Sequence, residues 1–145
     1  MKKLIMLLFL ASISLFPVKI NAQDLTVAQV ENSIKKDGKY AMLVRSAEHL
    51  KASVKTATGL IKENPQLDFQ IVVCGELVKN LVNDNELRQL MDKAKSGGIT
   101  ILACGLSMDK FNITVKDLPS SVMVTQNGLV YIFGLQENGY KTITL

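Results

Sequence analysis

Apolar residues follow two rhythms along this chain. Largely apolar runs of strand length, YAMLV at Tyr40–Val44, LDFQIVVC at Leu67–Cys74, ITILAC at Ile99–Cys104 and SVMVT at Ser121–Thr125, alternate with stretches in which apolar positions recur every three or four residues. That alternation predicts an α/β domain with a largely parallel sheet. The second half of LDFQIVVC is β-branched and nearly all apolar, as expected of a strand covered on both faces.

The helical stretches carry their own punctuation. In TVAQVENSIKK, Thr26 can cap and Gln29 can close a capping box, with Val27, Val30 and Ile34 on one face and Gly38 as the stop. Ser46 caps a second helix running toward Asn64, with Leu50, Val54, Ala57 and Ile61 aligned and Pro65 just beyond. After Gly75, ELVKNLV predicts a brief helix. Asn85 starts another in which Leu87, Leu90, Met91 and Ala94 recur, ended by Gly97 and Gly98. Beyond the third strand, LSMDKFN and VKDLP read as short irregular or single-turn helices, and KTITL as a terminal strand. The segment GLVYIFGLQENG reads as a helix, although its apolar run suits a strand as well.

The first residues change the frame in which the chemistry is read. Lys2 and Lys3 precede the apolar run LIMLLFLASISLF, followed by Pro17 and VKINAQ. This is the pattern of a secretory signal peptide with cleavage after Ala22, leaving residues 23–145 as a single domain, periplasmic or secreted. Loss of Lys2, Lys3 and Lys19 takes the formal charge from +4 to +1. A near-neutral domain without a clustered basic face gives no support to nucleic-acid binding. No later segment qualifies as membrane-spanning, and no repeat or low-complexity tract argues for a second domain.

Chemistry in open parallel sheets gathers outside the carboxyl ends of the strands. Those positions are Arg45 and Ser46 after the first strand, Cys74 and Gly75 after the second, Cys104 and Gly105 after the third, and Thr125 to Gly128 after the fourth. Both cysteines therefore end a strand at the functional edge. A following helix N-terminus favours thiolate, and Gly105 leaves the sulfur uncrowded. The same residues also fit a disulfide in an oxidising compartment or inert packing by a small apolar residue. A bond between Cys74 and Cys104 requires their strands to be neighbours, about 4.8 Å apart, because an intervening strand doubles the gap beyond disulfide reach. A flavodoxin-like order would insert the first strand between them. His49, the only histidine, lies in the first turn of the helix after the first strand and is a candidate proton carrier, although a lone histidine is more often a surface residue. Arg45 is a candidate to steady an anionic sulfur.

Other chemistries lack their motifs. There is no GxGxxG or GxxxxGK[ST] to cradle phosphate and no CxxC pair. One histidine and two distant cysteines make a poor zinc site, so no metal is expected. Asn112 to Thr114 matches a short glycosylation sequon.

Taken in order, YAMLVRS, FQIVVCGELVKNLV, GGITILACGLSMDKFNI, DLPSSVMVTQNG and LQENGYKTI resemble the DsrE/DsrF-like family of sulfur-relay proteins. The resemblance covers most of residues 40–145 and implies a three-layer α/β/α sandwich with a mainly parallel five-stranded sheet, assembled as a homotrimer, hexamer or related oligomer. In active members a cysteine at the end of the third strand accepts sulfur as a persulfide and passes it between donor and acceptor proteins. Cys104 matches that position. Cys74 departs from the family pattern, in which histidine often precedes the glycine after the second strand, and it is expected to be adjacent to the site. The implied reaction needs no metal or organic cofactor. The alternative function is a noncatalytic oligomeric binding or scaffold module of the same fold, with structural cysteines.

Overall fold

The computed structural model describes residues 24–145; the predicted leader lies outside them. The chain divides between Ser33 and Ile34 into two units. In the described part of the first, α1 spans Val27–Glu31, and Thr26 and Gln29 form the predicted capping box. The helix is shorter than its periodicity suggests. Ser33 turns its hydroxyl back onto the Val30 carbonyl at 2.7 Å, the local bonding by which serine competes with helix continuation.

The second unit follows a strand-helix rhythm: β1 Lys39–Val44, α2 Ala47–Glu63, β2 Asp68–Val73, α3 Leu77–Asn83, α4 Asn85–Ser96, β3 Ile99–Cys104, α5 Gly105–Lys110, a 3-10 turn at Val115–Asp117, β4 Val122–Thr125, α6 Gly128–Glu137 and β5 Lys141–Thr144. The Ser46 side chain caps α2 by accepting the His49 N–H. The helix α4 starts at Asn85 as expected, and the Asp84 side chain caps it by accepting from the N–H groups of Glu86 and Leu87. An ionised side chain at that end satisfies orphan donors and opposes the helix dipole.

All four strand pairings are parallel, in the order β4-β3-β2-β1-β5. This is the five-stranded α/β architecture expected from the sequence. The order puts β2 beside β3, so β1 does not separate the two cysteines.

Strand alternation divides the core into two. On one face Phe69, Ile71, Val73, Ile101 and Ala103 pack with Leu50 and Val54 of α2, Leu77 and Leu81 of α3, and Leu87 and Met91 of α4. On the other, Val72, Cys74, Leu102 and Cys104 pack with Ile132 and Leu135 of α6. The central strands are thus covered on both sides, which accounts for their nearly continuous apolar sequence. Each fully buried Leu, Ile or Phe contributes about 1.5–3 kcal/mol of transfer free energy. The second face is more thinly covered: Met123 shares a side with Leu102 by register yet is 60 % exposed.

Candidate functional site

The last pair in the β2–β3 ladder is Val73 with Ala103. Cys74 and Cys104 follow it on these adjacent strands and face the α6 layer together. Cys74 continues its strand by donating its N–H to Val44 at 3.0 Å. Both cysteines are free, at 8 % and 5 % exposure.

The start of α6 forms the roof over them. The Gly128 N–H donates to the Cys104 sulfur at 3.3 Å. A side chain at Gly128 would begin 2.6 Å from the Cys74 sulfur and 3.2 Å from Cys104 Cβ, so only glycine admits both cysteines beneath this backbone. The β4–α6 loop is held down by the Leu106 N–H, which donates to the Gln126 carbonyl at 3.1 Å. Gly105 permits this close approach, since a Cβ there would lie 3.0 Å from the carbonyl oxygens of Thr125 and Gln126.

Ser107, one turn into α5, completes the surroundings. Its hydroxyl oxygen accepts the Gly75 N–H at 2.8 Å, leaving its proton free for the sulfur. Burial opposes ionisation of Cys104, but the Gly128 N–H, the Ser107 hydroxyl and N–H, and the neighbouring Cys74 thiol outweigh it and lower its pKa. Cys74 goes the other way. Burial first, then the Cys104 sulfur, pushes its pKa up to about 12, with Arg45 offsetting part of the rise. The same pocket of protein therefore holds one thiol poised to ionise and one that keeps its proton.

Gly75 adopts φ +68°, a left-handed conformation that glycine enters without penalty. The turn brings it to Ser107 and sets Arg45 Nε 3.5 Å from where a Gly75 Cβ would stand. Arg45 is thus close to the cysteine edge, and it also lines, with exposed His49, Ser46, Glu76 and Leu145, a surface opening that neither cysteine lines. From the sequence, Gly128 was placed at the functional edge only as the end of the loop after the fourth strand, and Ser107 carried no role. Ser107 had one available signal, its position three residues into the helix behind Cys104.

A second polar feature runs down the same face of β2. Tyr131 of α6 donates its hydroxyl proton to Gln70 Oε1 at 2.8 Å, Gln70 Nε2 donates to the Tyr140 oxygen at 2.8 Å, and Tyr140 donates to the Asp68 carboxylate. This chain ties α6 and the start of β5 to the sheet, giving a structural use to the terminal Gly-Tyr pair. Beside α6 runs an open groove of about 850 Å³, from Leu106 and Thr125–Asn127 past Tyr131 to Tyr140 and Lys39. Neither cysteine lines it, because the Thr125–Gly128 loop stands between. Among the described residues, no three His, Cys, Asp or Glu side chains gather as metal ligands, and no helix is long and apolar enough to cross a membrane.

The DsrE/DsrF-like family model matches residues 38–145. The chain belongs to that family. Similar DsrE-like folds occur in the protein of unknown function MTH1491 from Methanobacterium thermoautotrophicum (TM-score 0.69, 17 % identity, covering 75 % of this chain and 100 % of that one). Others are the ychN protein from E. coli (0.64, 16 %, 74 % and 99 %) and the conserved protein of unknown function BT1422 from Bacteroides thetaiotaomicron (0.63, 18 %, 79 % and 100 %). No curated protein matches. These likenesses establish the shared fold. Within this DsrE-like chain, Cys104 stands at the carboxyl end of β3, the position the sequence resemblance assigned to sulfur.

Proposed function

We propose that this DsrE-like protein carries sulfane sulfur as a persulfide on Cys104. The observation that supports the reading best is the pairing of the Cys104 sulfur with the Gly128 N–H and Ser107, which favours thiolate in a nearly water-free setting. The thiolate attacks the outer sulfur of a donor persulfide or polysulfide, releasing the donor thiolate and forming Cys104–S–S⁻. An acceptor thiolate then takes the outer sulfur and regenerates the Cys104 thiolate. Exchange requires the Thr125–Gly128 loop to move, since Cys104 is 5 % exposed.

The same proposal places the protein outside the cytoplasm, on the strength of the leader pattern, and in a homo-oligomer. Support for assembly comes from α6, which exposes Leu129, Val130 and Phe133 at 59 %, 62 % and 62 % on the side away from the sheet. Such an apolar stripe is the usual mark of a protein contact. The stripe and the deep burial of both thiols also favour a second reading, a noncatalytic scaffold that retains the fold.

The two readings separate under anaerobic mixing with polysulfide, rapid alkylation and peptide mass mapping. A carrier shows a gain of about 32 Da, one sulfur atom, on the Cys104 peptide, absent in Cys104→Ser. Failure of the wild-type peptide to take up sulfur at any time overturns the carrier reading in favour of the scaffold.

A further inference from the structure

We infer that Cys74 is a resolving thiol for Cys104: it converts the Cys104 persulfide into a Cys74–Cys104 disulfide and releases hydrosulfide. The inference rests on the sulfur-carrier reading, and three features of the site carry it.

The first is register. Val73 pairs with Ala103, so the next residue on each strand stands beside its partner at about 4.8 Å, within the Cα separations that disulfides tolerate, about 4.4–6.8 Å. Direction is the second. Both side chains point to the α6 face, and the vacant Cβ position of Gly128 lies 2.6 Å from the Cys74 sulfur and 3.2 Å from Cys104 Cβ. Two atoms that close to one point are close to each other, with Val72 Cγ1 packed beside them at 3.0 Å from the same point. The third is charge. The Gly128 N–H and Ser107 favour charge on the Cys104 sulfur itself, so the charge on a persulfide's outer sulfur, one bond further out, is costly to keep in this buried space, whereas a disulfide is neutral and apolar.

The step balances internally. Starting from Cys104–S–S⁻, the Cys74 sulfur bonds to the inner sulfur of the persulfide and the S–S bond to the outer sulfur breaks. The outer sulfur leaves with that bond's electron pair and takes the Cys74 proton, giving HS⁻. The sulfane sulfur is reduced to sulfide while Cys74 and Cys104 are oxidised to the disulfide. Resetting the pair takes two electrons from a dithiol, or from two molecules of a small thiol, which end as the corresponding disulfide. Cys74 holding its proton until the step occurs agrees with its raised pKa. Under this scheme the protein hands sulfur on when an acceptor is present and discharges it as sulfide when none is.

The test is an anaerobic time course with polysulfide, following intact mass and released sulfide after removal of excess reagent. Wild-type protein is expected to pass from a gain of about 32 Da to a loss of about 2 Da, two hydrogen atoms, with about one sulfide released per chain. In Cys74→Ser and Cys74→Ala the persulfide should persist at least about tenfold longer, with no 2 Da loss. Equal persulfide lifetimes in all three proteins, with no disulfide in the wild type, overturn the resolving role and leave the carrier reading intact. Absence of any sulfur adduct in all three overturns both.

Discussion

The backbone N–H of Gly128 donates to the sulfur of Cys104 across 24 residues of chain, at 3.3 Å. One backbone group at the head of α6 thereby both covers the thiol and favours its ionised form. Glycine at this position follows from space alone, because a Cβ would meet Cys74, Val72 and Cys104 within 3.2 Å.

Gly128→Ala is expected to lose about 1–3 kcal/mol of stability from overpacking, read as a lower denaturant midpoint. Combining it with Cys74→Ala removes the nearest sulfur, 2.6 Å from the new methyl, and should recover part of the loss. A double variant with no recovery would rule out crowding against Cys74 as the cause.

The two thiols should separate by pH. Cys104, lowered by the Gly128 N–H and Ser107 against the opposing effect of burial, should reach half its maximal alkylation rate at a lower pH than a free thiol under the same conditions. Ser107→Ala should move that midpoint upward. Cys74, at about 12, should stay unmodified in the native protein through neutral pH. Peptide mapping after timed iodoacetamide exposure measures all three, and a Cys104 midpoint at or above that of a free thiol contradicts the assignment.

Tyr140 makes stability sensitive to alkali. Burial first and the Asp68 carboxylate next push its pKa up to about 12. A raised folded-state pKa contributes stability that is fully present below the unfolded value of about 10 and is lost as pH rises through the folded one. Tyr140→Phe, which breaks the link from Gln70 to Asp68, should cost about 1 kcal/mol at neutral pH. The gap between wild type and variant should narrow above about pH 10; a constant gap up to the folded-state pKa of Tyr140 would refute this account.

Phe133→Glu tests the exposed stripe of α6. At 62 % exposure the substitution should change the stability of one chain by no more than about 0.5 kcal/mol. If the chain assembles through this stripe as proposed, the substitution places a charge in an apolar contact, and light scattering should show a wild type larger than one chain and a monomeric variant. A monomeric wild type, or a variant whose particle mass is unchanged, would overturn the assignment of this stripe as a contact between chains.

Local chemistry determined most of the elements. Runs such as FQIVVC and ITILAC form buried strands because β-branched residues suit a sheet covered on both faces, and Ser46 starts α2 because its hydroxyl satisfies an orphan N–H. The position of Cys104 at the end of β3 was legible for the same reason, as was the likeness of the chain from Tyr40 onward to the family. Other features depended on contacts distant in sequence. The apolar run at Gly128–Glu137 had two readings because periodicity cannot separate them when residues on opposite sides of a helix are both apolar, as Val130 and Ile132 are; packing of Ile132 and Leu135 on the sheet decided for helix. Strand order placed Cys74 beside Cys104, and no local signal encodes which neighbour a strand takes. The roof from Gly128 joins residues 24 apart and the Tyr140–Asp68 bond residues 72 apart. The sequence by itself thus determined where a thiol stands on its strand, while the tertiary structure decided what surrounds it, since proton affinity and reach depend on groups that only folding brings within a few ångströms.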